Sequence, residues 1–263
     1  MSRQNLHSVR SSRARTIGGW RPSEVWVLKR GDPLLATFSK FAAKTFDWQG
    51  HNNAERVEFL LSLADSYPVV GWVLIPTDDE AVSLLSQHHD VLAGVYRLTT
   101  PPWRELRVLV GKWLLHQLAG GLEIPQLWTR LPKNGQELRS LNHGFLVILK
   151  PRSRDIANRF TNTKAWLLND EDSLLVKYIE VSALLPSDSV MVQEHIPGGT
   201  DGQFSSFALC QEGRVLTFVT ARRSRQWPMD FGRASSFVET VDLPEIIEPS
   251  CRILRATRFT GIV

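Results

Sequence analysis

Regular patterning begins at Glu24-Val25-Trp26-Val27-Leu28, a β-branched and aromatic run after Pro22 that reads as a strand. Asp32 to Trp48 mixes aromatics with lysines and fits no single period. From Arg56 to Ala64 the apolar residues Val57, Leu60, Leu61 and Ala64 recur at helical spacing on one face. Pro68 introduces Val69-Val70-Gly71-Trp72-Val73-Leu74-Ile75, a nearly continuous apolar run expected of a strand covered on both faces, and Pro76 ends it. Thr77 and Glu80 have capping-box spacing, which predicts a helix from there to about His89. Strand, helix, strand, helix in that order predicts an α/β unit with a parallel sheet.

Pro101-Pro102 marks a break, and the domain boundary is expected between residues 100 and 110. Trp103 to Ala119 reads mostly as helix, ended by Gly120-Gly121 with Pro125 just beyond. A polar stretch, Lys133 to Asn142, leads into the apolar strand Phe145 to Lys150, and Pro151 to Thr163 reads as a loop. A helix comes next over Glu171 to Leu184, then a strand from Met191 to Ile196 closed by Pro197-Gly198-Gly199. Phe204 to Leu209 and Arg214 to Thr220 flank Glu212-Gly213, a hairpin signal. Glu245 to Ala256 suits a helix, and Phe259 to Val263 begins a strand. Hairpins mixed with helices make this second half α+β.

A length of 263 residues allows one large or two medium domains, and 43% hydrophobic with 22% charged residues is ordinary for a soluble globular chain. No apolar run has the length needed to cross a bilayer, so no membrane partner is expected. Cys210 and Cys251 make neither a disulfide framework nor a metal-site spacing, which points to a reducing, cytoplasmic setting. The net charge of +4 and pI near 9.3 are compatible with nucleic acid and equally with an anionic small molecule. Arg3, Arg10, Arg13 and Arg15 precede the first acidic residue, Glu24. Residues 1–22 read as a poorly ordered basic arm, because no second basic patch with interleaved aromatics supports a nucleic-acid groove.

Lys150 ends an apolar strand directly before Pro151 and a polar loop. Taken alone it reads as a solvated strand end, the alternative being a cleft where a phosphate would satisfy its ammonium. Lys164 stands at the far end of the same loop, so the two lysines bracket it. The loop lacks glycine and is neither a Walker loop nor a Rossmann fingerprint. Gln193-Glu194-His195-Ile196 before Pro-Gly-Gly has the character of a hinge whose backbone groups reach a base edge, with Asp201 near enough to accept from ribose hydroxyls. Arg222, Arg223 and Arg225, with Gln226, come after a predicted strand and form either a solvated turn or an anion-facing cluster. Asp78-Asp79-Glu80 is better explained by the dipole of the helix it opens than by a metal. His88, His89 and His195 have no ligand-like partners at useful spacing.

Taken in order, Ile75-Pro76-Thr77-Asp78-Asp79-Glu80, Val147-Ile148-Leu149-Lys150-Pro151, Lys164-Ala165-Trp166, Met191 to Gly199, Thr220 to Pro228, Phe231-Gly232 and Phe237-Val238-Glu239-Thr240 resemble the ATP-grasp proteins related to D-aspartate ligase and other carboxylate–amine ligases. The resemblance runs from about Val25 onward. It implies a Rossmann-like pre-ATP-grasp α/β domain over residues 23–108, then an ATP-grasp domain over 109–263. It further implies ATP as cofactor, a small-molecule carboxylate or amine as substrate, an acyl-phosphate intermediate, and Mg2+ in the complete family member. Homo-oligomerisation is left open, as is a non-catalytic remnant that binds nucleotide or metabolite. By the same resemblance Lys112 and Lys150 hold phosphates, and Lys164 lies in the loop that closes over ATP. Gln193, Glu194 and Ile196 form the adenine hinge, Asp201 binds ribose, and Arg222, Arg223 and Arg225 face the acyl-phosphate or the incoming acid. The residue before Lys112 is Gly111 where the family has aspartate. The family's metal ligands lie on the strand that starts at Gly261-Ile262-Val263 and on the next, so no metal ligand is expected within these residues and the ATP-grasp domain is expected to be incomplete.

Overall fold

Two short parallel pairings organise the amino-terminal part of the chain. Strand β1 (Val25–Lys29) pairs with β2 (Ala42–Asp47), and β3 (Val73–Leu74) pairs with β4 (Arg97–Leu98). The computed structural model describes residues 24–31, 35–142, 144, 146–152, 165–185, 189–198, 202–227 and 234–263. The chain divides into two units, Met1–Trp103 and Arg104–Val263. The arm at residues 1–22, Lys164 and Asp201 lie outside the described residues.

In the first unit, helix α1 (Asn53–Ser66) starts at Asn52, whose side chain accepts from the Glu55 amide, while Glu55 accepts in turn from the His51 amide. Its Val57, Leu60 and Leu63 pack with Val69, Leu84, Leu85, Leu92 and Tyr96 into one core. Helices α2 (Asp79–Gln87) and α3 (His89–Ala93) supply Leu84, Leu85 and Leu92. The Tyr96 hydroxyl donates to the Leu60 carbonyl at 2.6 Å, so its polar end is satisfied inside that core. Parallel pairing is what α/β alternation requires, but among the described residues it forms two separate two-stranded sheets rather than one.

Two expectations are corrected here. The apolar run Val69–Ile75 is not a buried strand: Gly71 takes a φ of +81° and the Trp72 amide donates to Val69 at 3.0 Å, a turn that leaves Val70, Val73 and Ile75 exposed. The cap of α2 is Asp78 rather than Thr77, accepting from the Ala81 amide at 2.8 Å. The acidic triplet is partly neutralised by arginine, with Arg30 at 2.6 Å from Asp78 and 2.7 Å from Glu80.

The second unit begins with α4 (Trp103–Val110) and α5 (Lys112–Gly121), where a single helix was expected. They break at Gly111, where a Cβ would lie 2.8 Å from the Arg107 carbonyl. Strands β5 (Thr129–Arg130), β6 (Val147–Pro151), β7 (Trp166–Leu168) and β8 (Val190–Glu194) form an antiparallel sheet in the order β5-β8-β6-β7. The polar stretch Lys133 to Asn142, given no element in the sequence, contains α6 (Gly135–Ser140), capped by Asn134. With α7 (Glu171–Ser182) it covers one sheet face through Leu138, Leu174, Tyr178 and Val181 against Val147, Leu149, Val190 and Val192.

A second antiparallel sheet joins β9 (Phe204–Gln211), β10 (Arg214–Trp227), β11 (Ala234–Val241) and β12 (Gly261–Ile262) in the order β11-β10-β9-β12. Helix α8 (Pro244–Ala256) lies on it, with Ser250 Oγ 3.3 Å from Ser206 Oγ, and Arg252 reaches across to the Leu122 carbonyl after α5. The β9–β10 turn has positive φ at both Glu212 (49°) and Gly213 (79°), as a two-residue hairpin turn requires. The Gly213 amide donates to Phe259 at 2.9 Å, and an added Cβ would sit 2.9 Å from the Arg255 Cα. Gly213→Val is therefore expected to cost about 2 kcal/mol or more. Glu212→Gly, which relieves a positive φ while loosening the unfolded chain, should stay within about 0.5 kcal/mol of the parent. Urea denaturation of both variants checks the contrast.

Candidate functional site

Strand pairing sorts the site residues by face. Ile148 pairs with Gln193 and Lys150 with Met191, while Val147 pairs with Glu194 and Leu149 with Val192. Paired residues share a face, so Lys150 and Gln193 lie on one side of the sheet, and Glu194 lies on the side covered by α6 and α7. Lys150 Nζ donates to Gln193 Oε1 at 2.5 Å. The other end of that amide, Gln193 Nε2, donates to Thr129 Oγ1 at 2.8 Å, and Thr129 is fully buried. The Thr129 hydroxyl donates to the Leu127 carbonyl at 3.1 Å.

Cations gather around this chain of bonds. Lys112 opens α5 and donates from Nζ to the Pro151 carbonyl at 3.3 Å, which brings it beside Lys150. Its helix begins at Gly111, which supplies no side-chain cap, so the helix end adds its own partial positive charge. Burial, and then repulsion from Lys112, push Lys150 down from its ordinary value near 10.5 to about 8. One turn along α5, His116 stacks on Trp113 with centroids 5.3 Å apart. Its pKa is lowered by burial first, then by the Arg130 charge, and Lys150 adds a smaller push against the hydrogen bond to Gln126. Arg130 lies over the Trp128 ring and donates to the Thr129 carbonyl at 2.9 Å. A partly buried amine held by a neutral amide, with a second lysine beside it, is suited to an anion.

Of the hinge residues, Glu194 is exposed and its amide donates to the Trp128 carbonyl at 2.9 Å, while the His195 amide donates to Leu146 at 3.2 Å. A cavity of about 350 Å³ lies here, lined by Trp128, Leu146, Val147, Glu194 and His195 among others. Ile196 is exposed. The hinge residues are thus split between the two faces of the sheet at Gln193 and Glu194.

The arginine run does not come after a strand; it lies inside β10. Arg222 stands opposite Glu239 on β11 and contacts its Oε1 through Nε at 2.9 Å and Nη2 at 2.6 Å. Arg223 stands opposite Val238, and a register shift at Ser224 sets Arg225 opposite Phe237, on the side of Arg222. The three guanidinium groups therefore do not converge on one face. Among the described residues, no three His, Cys, Asp or Glu side chains converge to hold a metal ion. No described helix is long and apolar enough to cross a membrane.

Thr129, Arg130 and His116 were missed in the sequence. His116 carried a signal, standing four residues after Lys112 on the same helical face. Thr129 and Arg130 carried none, since a two-residue strand has no period.

The displaced Lys150 has a consequence for stability. Below about pH 8 both folded and unfolded chains hold its proton, and the cost of burying the ammonium is fully present. Between about 8 and 10.5 the unfolded chain keeps the proton that the folded chain has released, so stability rises with pH across that window. Lys150→Met should stabilise the protein at pH 7 by up to about 3 kcal/mol and flatten that rise, read by urea denaturation as a function of pH.

No protein-family model matches the chain, and no curated protein matches it in sequence. Solved structures do match. The biotin carboxylase–β,γ-ATP complex from Campylobacter jejuni superposes with a TM-score of 0.65 at 12% identity, covering 89% of this chain and 54% of that one. The D-alanine–D-alanine ligase from Bacillus anthracis complexed with ATP gives 0.51 at 14% identity, covering 84% and 69%. The L-amino acid ligase from Bacillus licheniformis gives 0.53 at 10% identity, covering 82% and 49%. The chain spans between 49% and 69% of the length of these proteins. What they share with it at such identity is architecture, and that architecture is the ATP-grasp fold.

Proposed function

We propose that this chain binds ATP on the Lys150 face of the β5-β8-β6-β7 sheet and belongs functionally with ATP-dependent carboxylate–amine ligases. The observation that carries the reading is the partly buried Lys150, held by a neutral amide and pushed down to about 8 by loss of solvation and by Lys112. Such a group is unfavourable by itself and becomes favourable when a polyphosphate arrives. In support stand the matching ligase and carboxylase structures, two of which hold ATP or its β,γ analogue.

Within this reading Lys150 and Lys112 hold the phosphates, and His116, whose neutral form is favoured by burial and by Arg130, stands beside them. Gln193 orients Lys150, and the cavity beside Glu194 and His195 lies next to the strand end assigned to the base. Lys164 and Asp201 keep the roles of loop closure and ribose contact implied by the resemblance. Arg223 and Arg225 remain candidates for the acid substrate, whereas Arg222 would first have to leave Glu239.

Calorimetric titration with ATP tests the proposal. Saturable binding is expected, and Lys150→Ala should weaken it at least about tenfold, the worth of one charge-assisted contact. A bound phosphate draws the proton back onto Lys150, so affinity should fall as pH rises through about 8 and beyond. Ligase chemistry would appear as ADP release dependent on a carboxylic acid and an acyl-phosphate trapped by hydroxylamine. ATP binding unchanged in Lys150→Ala would sink the assignment.

A further inference from the structure

We infer that Thr129 is the positioning residue of this site, fixing the Gln193 amide so that its oxygen faces Lys150. The inference rests on the nucleotide site proposed above for its functional meaning, and on a directional chain of hydrogen bonds for its geometry. The Leu127 carbonyl can only accept, so the Thr129 hydroxyl spends its one proton there, at 3.1 Å. What Thr129 can then offer Gln193 is a lone pair, and the group that answers is Nε2, at 2.8 Å. With Nε2 committed, Oε1 must point the other way, where Lys150 Nζ donates to it at 2.5 Å. Turning the amide over would set two donors against each other at Lys150.

Each link comes from a different place in the chain. Leu127 lies just before β5, Thr129 opens β5, Gln193 belongs to β8 and Lys150 to β6. Thr129 stands directly opposite Gln193, and Gln193 directly opposite Ile148. The hydroxyl is fully buried, so water does not compete for it. A backbone carbonyl just before an edge strand thereby sets the direction of the central lysine without touching any ligand. The titratable groups beside Lys150 are Lys112 and His116 from α5, and Arg130 of β5 acts in turn on His116. None is altered by a change at Thr129, which lets the relay be tested by itself.

The experiment is a heteronuclear NMR titration of the Lys150 side chain in the ligand-free protein, for the parent, Thr129→Val and Thr129→Ser. Valine keeps the shape and removes the hydroxyl; the freed amide no longer holds its oxygen on the ammonium. The Lys150 midpoint should then fall by about half a pH unit or more, because a hydrogen bond to the charged form has been lost. Serine should restore the parental midpoint. Equal midpoints in the parent and Thr129→Val, or serine behaving as valine does, would overturn the inference. If Thr129→Val does not fold, the parent decides. One Gln193 amide proton protected from exchange supports the relay, and two exchanging as in a free amide rule it out. ATP titration of the same samples separates the two readings. A parent that binds no ATP removes the nucleotide assignment, while the Lys150 titration still reports on Thr129.

Discussion

The site depends on one unfavourable arrangement, an ammonium partly withdrawn from water and given a neutral acceptor. Lys150 sits on an interior strand of its sheet, Gln193 supplies an amide oxygen, and Lys112 raises the local positive charge. Burial weakens the protonated form more than Lys112 does, which is why the displacement begins with desolvation. The surrounding structure holds this unfavourable group in place. One sheet face is closed by α6 and α7 over Val147, Leu149, Val190 and Val192, and strand alternation then forces Lys150 and Gln193 to the other. Packing on one side thus fixes the chemistry on the opposite side.

In both units, hydroxyls buried by folding find distant backbone carbonyls. Tyr96 reaches the Leu60 carbonyl, Ser86 reaches Pro101, and Tyr178 reaches Pro132. Each of these bonds joins segments well separated in sequence. Thr129 also donates to a backbone carbonyl, but a near one, and its acceptor side is used as well as its donor side.

Local pattern made several elements legible and concealed others. Val57, Leu60 and Leu61 announced α1, and Glu212-Gly213 announced the β9–β10 turn, because helical spacing and positive φ are properties of adjacent residues. Val69–Ile75 misled because apolar runs of that length do not reveal whether they are covered, and Gly71 turned the chain instead. Thr77 and Asp78 are both good caps, and Asp78, which caps the helix, also meets Arg30. At the site, Lys150 and Gln193 stood out at strand ends and Lys112 by resemblance, but their mutual contacts did not. The bond from Gln193 to Thr129 spans 64 residues, and the opposition of Arg222 and Glu239 depends on register between two strands. Neither is encoded in spacing along the sequence.

The tip of the β9–β10 hairpin is tied to the segment after α8 from two directions: Gly213 donates to Phe259, and Glu212 donates to Thr260 Oγ1. Phe259 is buried beneath, and β12 then pairs back onto β9 at Cys210 and Leu209. Turn, helix end and last strand therefore form one closed loop of contacts, in which no member can detach without breaking the others. Amide protons in these three segments should exchange with solvent together, as a single cooperative unit, rather than fraying from the carboxyl-terminal end.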